Sequence, residues 1–296
     1  MCYYNGQRVT RAEFIQLKQL EKAVKNYDFL NKGVISGFSE DLVAVLLPND
    51  AKTNFDIVQM EWGFLPAYIR NREHVQKFRL GYKDSKGKWH TGYTTQNAKA
   101  ENLFINEEGT KESIYAEAAR RRRCLVISTG FYEWRHVYRN HKKTGRPLKT
   151  PDKYPYYISV TDQEYFYMAG IWQEWIDKDT GEVSKTLSIV TAPATDLMEK
   201  VHNSKKRMPT ILSNELAWEW MMEEISDDRI LEIAKTGFPA EQMSACSISK
   251  EFQAALDPTE PFDYPELPAL ELSIADDEPA QDKGFDLFSG FHESLF

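Results

Sequence analysis

The run Cys124-Leu125-Val126-Ile127-Ser128, followed after one threonine by Gly130-Phe131-Tyr132-Glu133-Trp134, decides how this chain folds. A short apolar run rich in β-branched residues and bounded by turn formers reads as a strand. Five more runs of this kind lie at 42–47, 55–62, 156–161, 165–172 and 186–191, and Asp177-Lys178-Asp179-Thr180-Gly181 reads as a hairpin loop. Helical patterns occupy 112–121, 214–224 and 227–236, the last introduced by Ser226 as a cap. Thr10 with Glu13 forms a capping-box pattern, and Phe14, Leu17, Leu20 and Val24 recur at helical spacing, so a helix is predicted from about Thr10 to Asn26. Strands grouped around isolated helices, without regular βα alternation, predict an α+β domain with a largely antiparallel sheet. No internal repeat interrupts it.

A chain of 296 residues with 42% hydrophobic and 13% aromatic content can bury a real core. Its apolar runs fall well short of the ~20 residues that span a bilayer, and nothing resembles a signal peptide, so the reading is a soluble, cytoplasmic protein with no membrane partner. The three cysteines, Cys2, Cys124 and Cys246, are too scattered for a disulfide framework or a zinc site, and no metal or cofactor is expected. The net charge of −8 is unevenly placed: from Glu251 onward there are twelve Asp/Glu and one Lys, leaving the first 250 residues at +3. Basic residues there cluster at Arg70 and Arg72, at Arg120 to Arg123, at Lys142, Lys143 and Arg146, and at Lys205, Lys206 and Arg207. Such clusters suit phosphates, although a charge run is more often a solvated face.

Cys2 carries unusual latent chemistry. Removing Met1 would leave a 1,2-aminothiol, whose amine and sulfur can close a thiazolidine ring on an aldehyde; the amine titrates near pH ~8. Position alone favours a frayed second residue. Glu133, pressed among aromatic rings, is expected to have a raised pKa fit for proton exchange, or else to be an aromatic corner whose carboxylate reaches solvent or an Arg. His202, in Val201-His202-Asn203-Ser204-Lys205-Lys206-Arg207-Met208-Pro209, sets an imidazole beside three cations. In Gln96-Asn97-Ala98-Lys99-Ala100-Glu101 the alternation predicts that Asn97, Lys99 and Glu101 share one face of a strand. Trp62-Gly63-Phe64-Leu65-Pro66-Ala67-Tyr68-Ile69-Arg70 mixes aromatics with a cation, suiting either base stacking or a buried loop.

In this order, Met-Cys, WGFLP, NAKAE, GFYEW, IVTAPA and HNSKKRMP resemble the SRAP family (SOS response-associated peptidase), the abasic-site processing proteins. The resemblance covers residues 1–249. It implies a single domain over 1–250, α+β with a largely antiparallel, barrel-like sheet core flanked by helices. It also implies a positively charged groove leading single-stranded DNA with abasic sites to Cys2. On that likeness Cys2 is the nucleophile, Glu133 and His202 move protons, and Asn97 orients the captured sugar. Lys99 stands where the family commonly has Arg, Trp134, Thr191, Lys205, Lys206 and Arg207 line the strand, and Tyr68 with Ile69 form a wedge. The implied activity is a covalent thiazolidine cross-link in the DNA damage response, with a peptidase activity releasing the preceding residue. A cysteine peptidase acting through Cys2, and a non-catalytic single-strand binder, are the competing readings.

The chain departs from the family's usual MCGR start in reading Met1-Cys2-Tyr3-Tyr4, and it carries longer segments at 81–92 and 137–153. Residues 251–296 form an acidic, Pro-rich segment expected to be loosely ordered. Within it, Gly284-Phe285-Asp286-Leu287-Phe288 and His292-Glu293-Ser294-Leu295-Phe296 each resemble a bacterial sliding-clamp-binding peptide at their final three positions, making the clamp, and a place at the nucleoid, further expectations.

Overall fold

Every side chain of the Arg123–Ser128 strand is buried, because the strand lies inside a sheet covered on both faces. In this computed structural model, which describes residues 2–9, 14–18, 20–23, 28–39, 41–141 and 143–270, that strand pairs antiparallel with Leu42–Pro48 and with Phe166–Ile176. Leu42–Pro48 continues to Phe55–Trp62, which runs parallel to Val183–Pro193; that strand returns as a hairpin partner of Phe166–Ile176. The five pairings close a ring, the barrel-like core implied by the resemblance. A second, wholly antiparallel sheet orders Met243–Ser247, Asp152–Val160, Gly130–Val137, Tyr4–Arg8 and Asn31–Ser36.

Side-chain alternation along the central strands feeds two cores. Leu125, Ile127, Ala44 and Leu46 face Trp220, Met221, Ile230 and Ile233 from the helices Asn214–Met222 and Asp227–Ala234. Cys124, Val126, Val43 and Val45 join Phe131, Tyr156 and Ile158 of the second sheet. Arg123 belongs to this scaffold: its guanidinium donates to the carbonyls of Trp220, Ala119 and Glu223. Arg120 of the same basic cluster is tied to Asp227 and Glu112. That cluster therefore closes helix ends and meets carboxylates.

The expected strands are all present, and the predicted hairpin loop joins Phe166–Ile176 to Val183–Pro193. The expected helix over 10–26 is corrected. Its capping-box residues lie outside the described residues, but Phe14–Leu17 and Leu20–Ala23 are antiparallel strands. Ile15 and Leu17 enter the core while Gln16 stays exposed, a period of two. The Gln16 backbone is held by two tyrosine hydroxyls, accepting at its N–H side through Tyr165 and donating to its carbonyl through Tyr167. Tertiary partners thus override local helical spacing.

Unforeseen elements include the Arg72–Leu80 helix, capped by Asn71, and the short Asp196–Val201 helix that delivers His202. Residues 251–270 lie against the second sheet: Tyr264 donates to the Ile248 carbonyl, Tyr154 to Glu266, and Arg135 to the Pro268 carbonyl. Both clamp-like peptides fall in 271–296, outside the described residues. Among the described residues no helix is long and apolar enough to cross a membrane, and no cluster of His, Cys, Asp and Glu could hold a metal ion.

Candidate functional site

The site is built around the entry of the N-terminal strand. Tyr4–Arg8 lies between Gly130–Val137 and Asn31–Ser36, with Tyr4 opposite Tyr132 and Ser36. Buried amides hold it to the barrel: Gln7 donates to the carbonyls of Ala44 and Ile127, accepts from the Ala44 N–H, and Asn5 donates to the Ile127 carbonyl. The antiparallel register carries the residues ahead of Tyr4 past Glu133 and Trp134. Cys2 is fully buried there, its thiol directed to the Tyr4 carbonyl at 3.5 Å.

Asn97 reaches the same point from Asn97–Lys99, a strand running parallel to Val183–Pro193 with Asn97 opposite Ile189. Its Nδ2 donates to the Cys2 carbonyl at 2.7 Å. Its Oδ1 is buried and has no hydrogen-bond partner among the described residues. An unsatisfied buried acceptor is costly, so it is an acceptor in want of a donor.

Glu133 is 3% exposed, and burial pushes its pKa up to about 7. Burial also raises the Cys2 thiol, and the nearby Glu133 charge raises it further, so Cys2 rests as a thiol. His202 follows the Asp196–Val201 helix and sits 3.7 Å from Glu133, Nε2 to Oε2. Its Nδ1 lies 2.7 Å from the Arg207 carbonyl, which accepts only, so Nδ1 carries the proton and Nε2 the lone pair. Burial lowers the His202 pKa to about 4, leaving the ring neutral. Asn203 fixes this loop against the sheet: its Oδ1 accepts from the His136 N–H at 2.9 Å and its Nδ2 donates to the His136 carbonyl at 2.8 Å.

Trp134 and Lys205 line a pocket of about 300 Å³ over Glu133 and His202. Lys206 is exposed and pairs with Glu199, and Lys99 pairs with Glu107 at 2.5 Å. Three expected strand-lining or wedge residues are placed otherwise. Thr191 is fully buried, and Arg207, itself buried, donates to the Thr191 carbonyl and grips Glu101 with both terminal nitrogens. Both residues brace the wall. Ile69 is enclosed by Leu65, Val75, Phe78 and Trp175, so Tyr68, 63% exposed, is the part of that pair that meets solvent. Glu101 likewise leaves the predicted strand face, because the chain turns into a 3-10 helix at Ala100–Asn102.

Tyr3, His136, Lys153 and Ser204 also line the pocket and were not among the expected residues. Tyr3 stands where the sequence departs from the family's usual start. Lys153 stands opposite His136 in the antiparallel pairing of Gly130–Val137 with Asp152–Val160, a register the sequence alone does not fix. The arrangement offers a buried thiol, a carboxyl group that is half-protonated near neutrality, a neutral imidazole lone pair and an unpartnered amide oxygen. These suit addition to a carbonyl carbon with proton transfer on both sides of it.

A two-sheet α+β fold with a barrel core and a buried cluster of Cys2, Asn97, Glu133 and His202 defines a class, and comparison names it. Residues 7–255 match the model of the family described as SOS response associated peptidase (SRAP), and the chain belongs to that family. Among its relatives, the abasic site processing protein YoqW of Bacillus subtilis (strain 168) is 26% identical over 211 residues, 71% of this chain and 76% of that one. The abasic site processing protein YedK of Escherichia coli (strain K12) is 33% identical over 129 residues, 43% and 50% of the two chains. A crystal structure of a protein from Bacteroides thetaiotaomicron superposes with a TM-score of 0.63 at 27% identity, covering 88% of this chain and 97% of that one.

Proposed function

We propose that this chain captures abasic sites in single-stranded DNA as a covalent thiazolidine on Cys2, formed once Met1 is removed. The observation that carries the reading is the convergence on Cys2 of Asn97, 2.7 Å from its carbonyl, and of Glu133, whose pKa lies at about 7. Family membership and the names of the relatives support DNA with abasic sites as the substrate.

The C1′ aldehyde of an opened deoxyribose accepts the Cys2 amine, and the resulting carbinolamine loses water to give an imine. Glu133 in its acid form donates the proton that lets the oxygen leave. The Cys2 sulfur then adds to the imine carbon and its proton passes to the nitrogen, closing the ring with one C–N and one C–S bond formed and one water released. His202 Nε2 takes up and returns a proton at the sugar, and Asn97 Oδ1 accepts from a sugar hydroxyl. Lys99, Lys205 and Lys206 neutralise phosphates beside the pocket, and Trp134 and Tyr68 meet the strand.

Intact-mass measurement after incubation with an abasic single-stranded oligonucleotide tests this. A stable adduct of protein plus oligonucleotide minus water is expected from protein lacking Met1; an equal yield from Cys2→Ala would overturn the reading. A cysteine peptidase would want a lowered thiol pKa, whereas that of Cys2 is raised. Removal of Met1 must precede capture, and whether Cys2 or an aminopeptidase drives it is checked by following Met1 loss in protein made without an aminopeptidase. Clamp docking through the C-terminal segment is checked by deleting residues 284–296 and measuring clamp affinity.

A further inference from the structure

We propose that the cleft between the Arg72–Leu80 helix and the hairpin Tyr82–Lys83 with Trp89–His90 binds an unpaired nucleobase of the strand whose lesion reaches Cys2. This rests on the DNA-binding reading above and gives a role to the 81–92 segment. The cleft has a volume of about 750 Å³ and is walled by Tyr68, Phe78, Tyr82, His90 and Tyr93, with Lys77 at its edge. A volume in this range accommodates a small aromatic ligand.

The walls are built surfaces. Phe78 and Tyr93 stack with centroids 5.3 Å apart and planes at 15°, and Tyr82 and His90 stack at 4.8 Å and 10°. Tyr68 sets its edge on Phe78. Two glycines permit the close approach of hairpin and helix: Gly81 has φ +81°, and a Cβ on Gly92 would lie 2.2 Å from the Arg79 carbonyl oxygen. The Tyr93 N–H donates to the Phe78 carbonyl at 2.7 Å, and Asp84 holds the His90 ring at 2.9 Å. Yet Tyr68 and Tyr93 remain 63% and 66% exposed, a large aromatic surface kept in water by a rigid frame.

Charge and position select the occupant. Residues 68–93 carry seven Lys/Arg and two Asp/Glu; Arg72 and Arg79 are paired with Glu61 and Glu182 and Lys77 with Glu73, and Arg70, Lys83, Lys86 and Lys88 keep the segment positive and suited to a polyanion. Stacking faces with nearby cations bind bases of any sequence. From Tyr93 the chain passes Thr94 and reaches Asn97 four residues on. Four residues reach at most roughly 13 Å, which places the base within a few nucleotides of the lesion.

The test uses the full chain and a single-stranded oligonucleotide with a tetrahydrofuran abasic analogue, with 2-aminopurine placed in turn at each neighbouring position. Binding is expected to quench the fluorescence at one or two adjacent positions, and Tyr93→Ala to relieve that quenching and weaken affinity roughly 5- to 150-fold, the span of one base–aromatic stack. Tyr93→Phe should retain both. Wild-type quenching and affinity in both Tyr93→Ala and Tyr82→Ala would overturn the cleft. If an abasic oligonucleotide cross-links but quenching ignores Tyr93, the cleft fails and the function stands. If Tyr93-dependent quenching occurs without any covalent adduct, the cleft stands and the proposed function fails; absence of any binding sinks both.

Discussion

His202 presents Nε2 to Glu133 Oε2 across 3.7 Å because its Nδ1 is engaged by the Arg207 carbonyl at 2.7 Å. A neutral imidazole acceptor thus faces a carboxyl group that burial keeps partly protonated near neutrality. In the proposed reaction this environment would divide the proton-transfer work between them: the same desolvation raises the carboxyl pKa and lowers that of the imidazole.

Glu133→Gln is expected to slow cross-linking by about 10²-fold or more, the contribution of a positioned acid–base group, as read from adduct formation over time. It should also change the pH dependence of stability. The Glu133 pKa rises from 4.5 to about 7 on folding, so between those values the folded state holds a proton that the unfolded chain has lost, and stability falls as pH rises through the window. Relative to wild type, Glu133→Gln should therefore gain ~2 kcal/mol between pH ~5 and pH ~8 in urea titrations. For His202, whose folded pKa of about 4 lies below 6.5, stability is instead lost as pH falls through that range, and His202→Gln should lose less there.

Asn203→Ala removes both hydrogen bonds that dock the His202 loop on His136. Cross-linking should slow about tenfold, since a misplacement of the order of an ångström is costly to a proton relay. Asn203→Asp keeps the acceptor and loses the donor, so its rate should fall between the two. Equal rates for all three proteins would show that the loop is held by other means.

Arg207→Ala would leave the Glu101 carboxylate and the Thr191 carbonyl without their shared donor. The expected loss is ~2 kcal/mol, below the value for a fully buried pair because Glu101 is partly exposed. The double variant Glu101→Ala/Arg207→Ala should recover part of it, as a double-mutant cycle in chemical denaturation would read.

Gly130→Ala should destabilise the fold by ~2 kcal/mol or more, because the new Cβ would lie 2.2 Å from the Tyr157 ring. Thermal unfolding checks this, and Tyr157→Leu in the same chain should restore part of the loss. The glycine of GFYEW stands where the Tyr157 ring packs across the strands.

Lys205→Ala should weaken DNA binding uniformly across sequences and reduce the slope of log affinity against log salt by about 0.7, one phosphate contact on a single strand. Fluorescence anisotropy at several salt concentrations gives that slope directly. An unchanged slope would place Lys205 off the path of the strand.

Much of this was legible in the residues themselves. Strands such as 42–47 and 124–128 declare themselves by composition, because a segment buried on both faces must be apolar throughout. Glu133 among aromatics announced a raised pKa, and burial at 3% exposure supplies the cause. The helix expected over 10–26 failed because periodicity describes one chain segment alone, while Tyr165 and Tyr167 capture the Gln16 backbone from far along the sequence. Thr191, Arg207 and Ile69 looked like surface contacts because nothing local marks their burial.

What the sequence by itself determined is the chemistry available: a cysteine at position 2, one carboxyl group among rings, one imidazole beside cations and one amide. Only the tertiary structure decided which atoms of these groups face each other, since Asn97 meets Cys2 across 95 positions and Glu133 meets His202 through two different elements. It also decided which groups are dry. Desolvation depends on everything packed around a side chain, so the raised carboxyl and lowered imidazole exist only after the two sheets have closed over them.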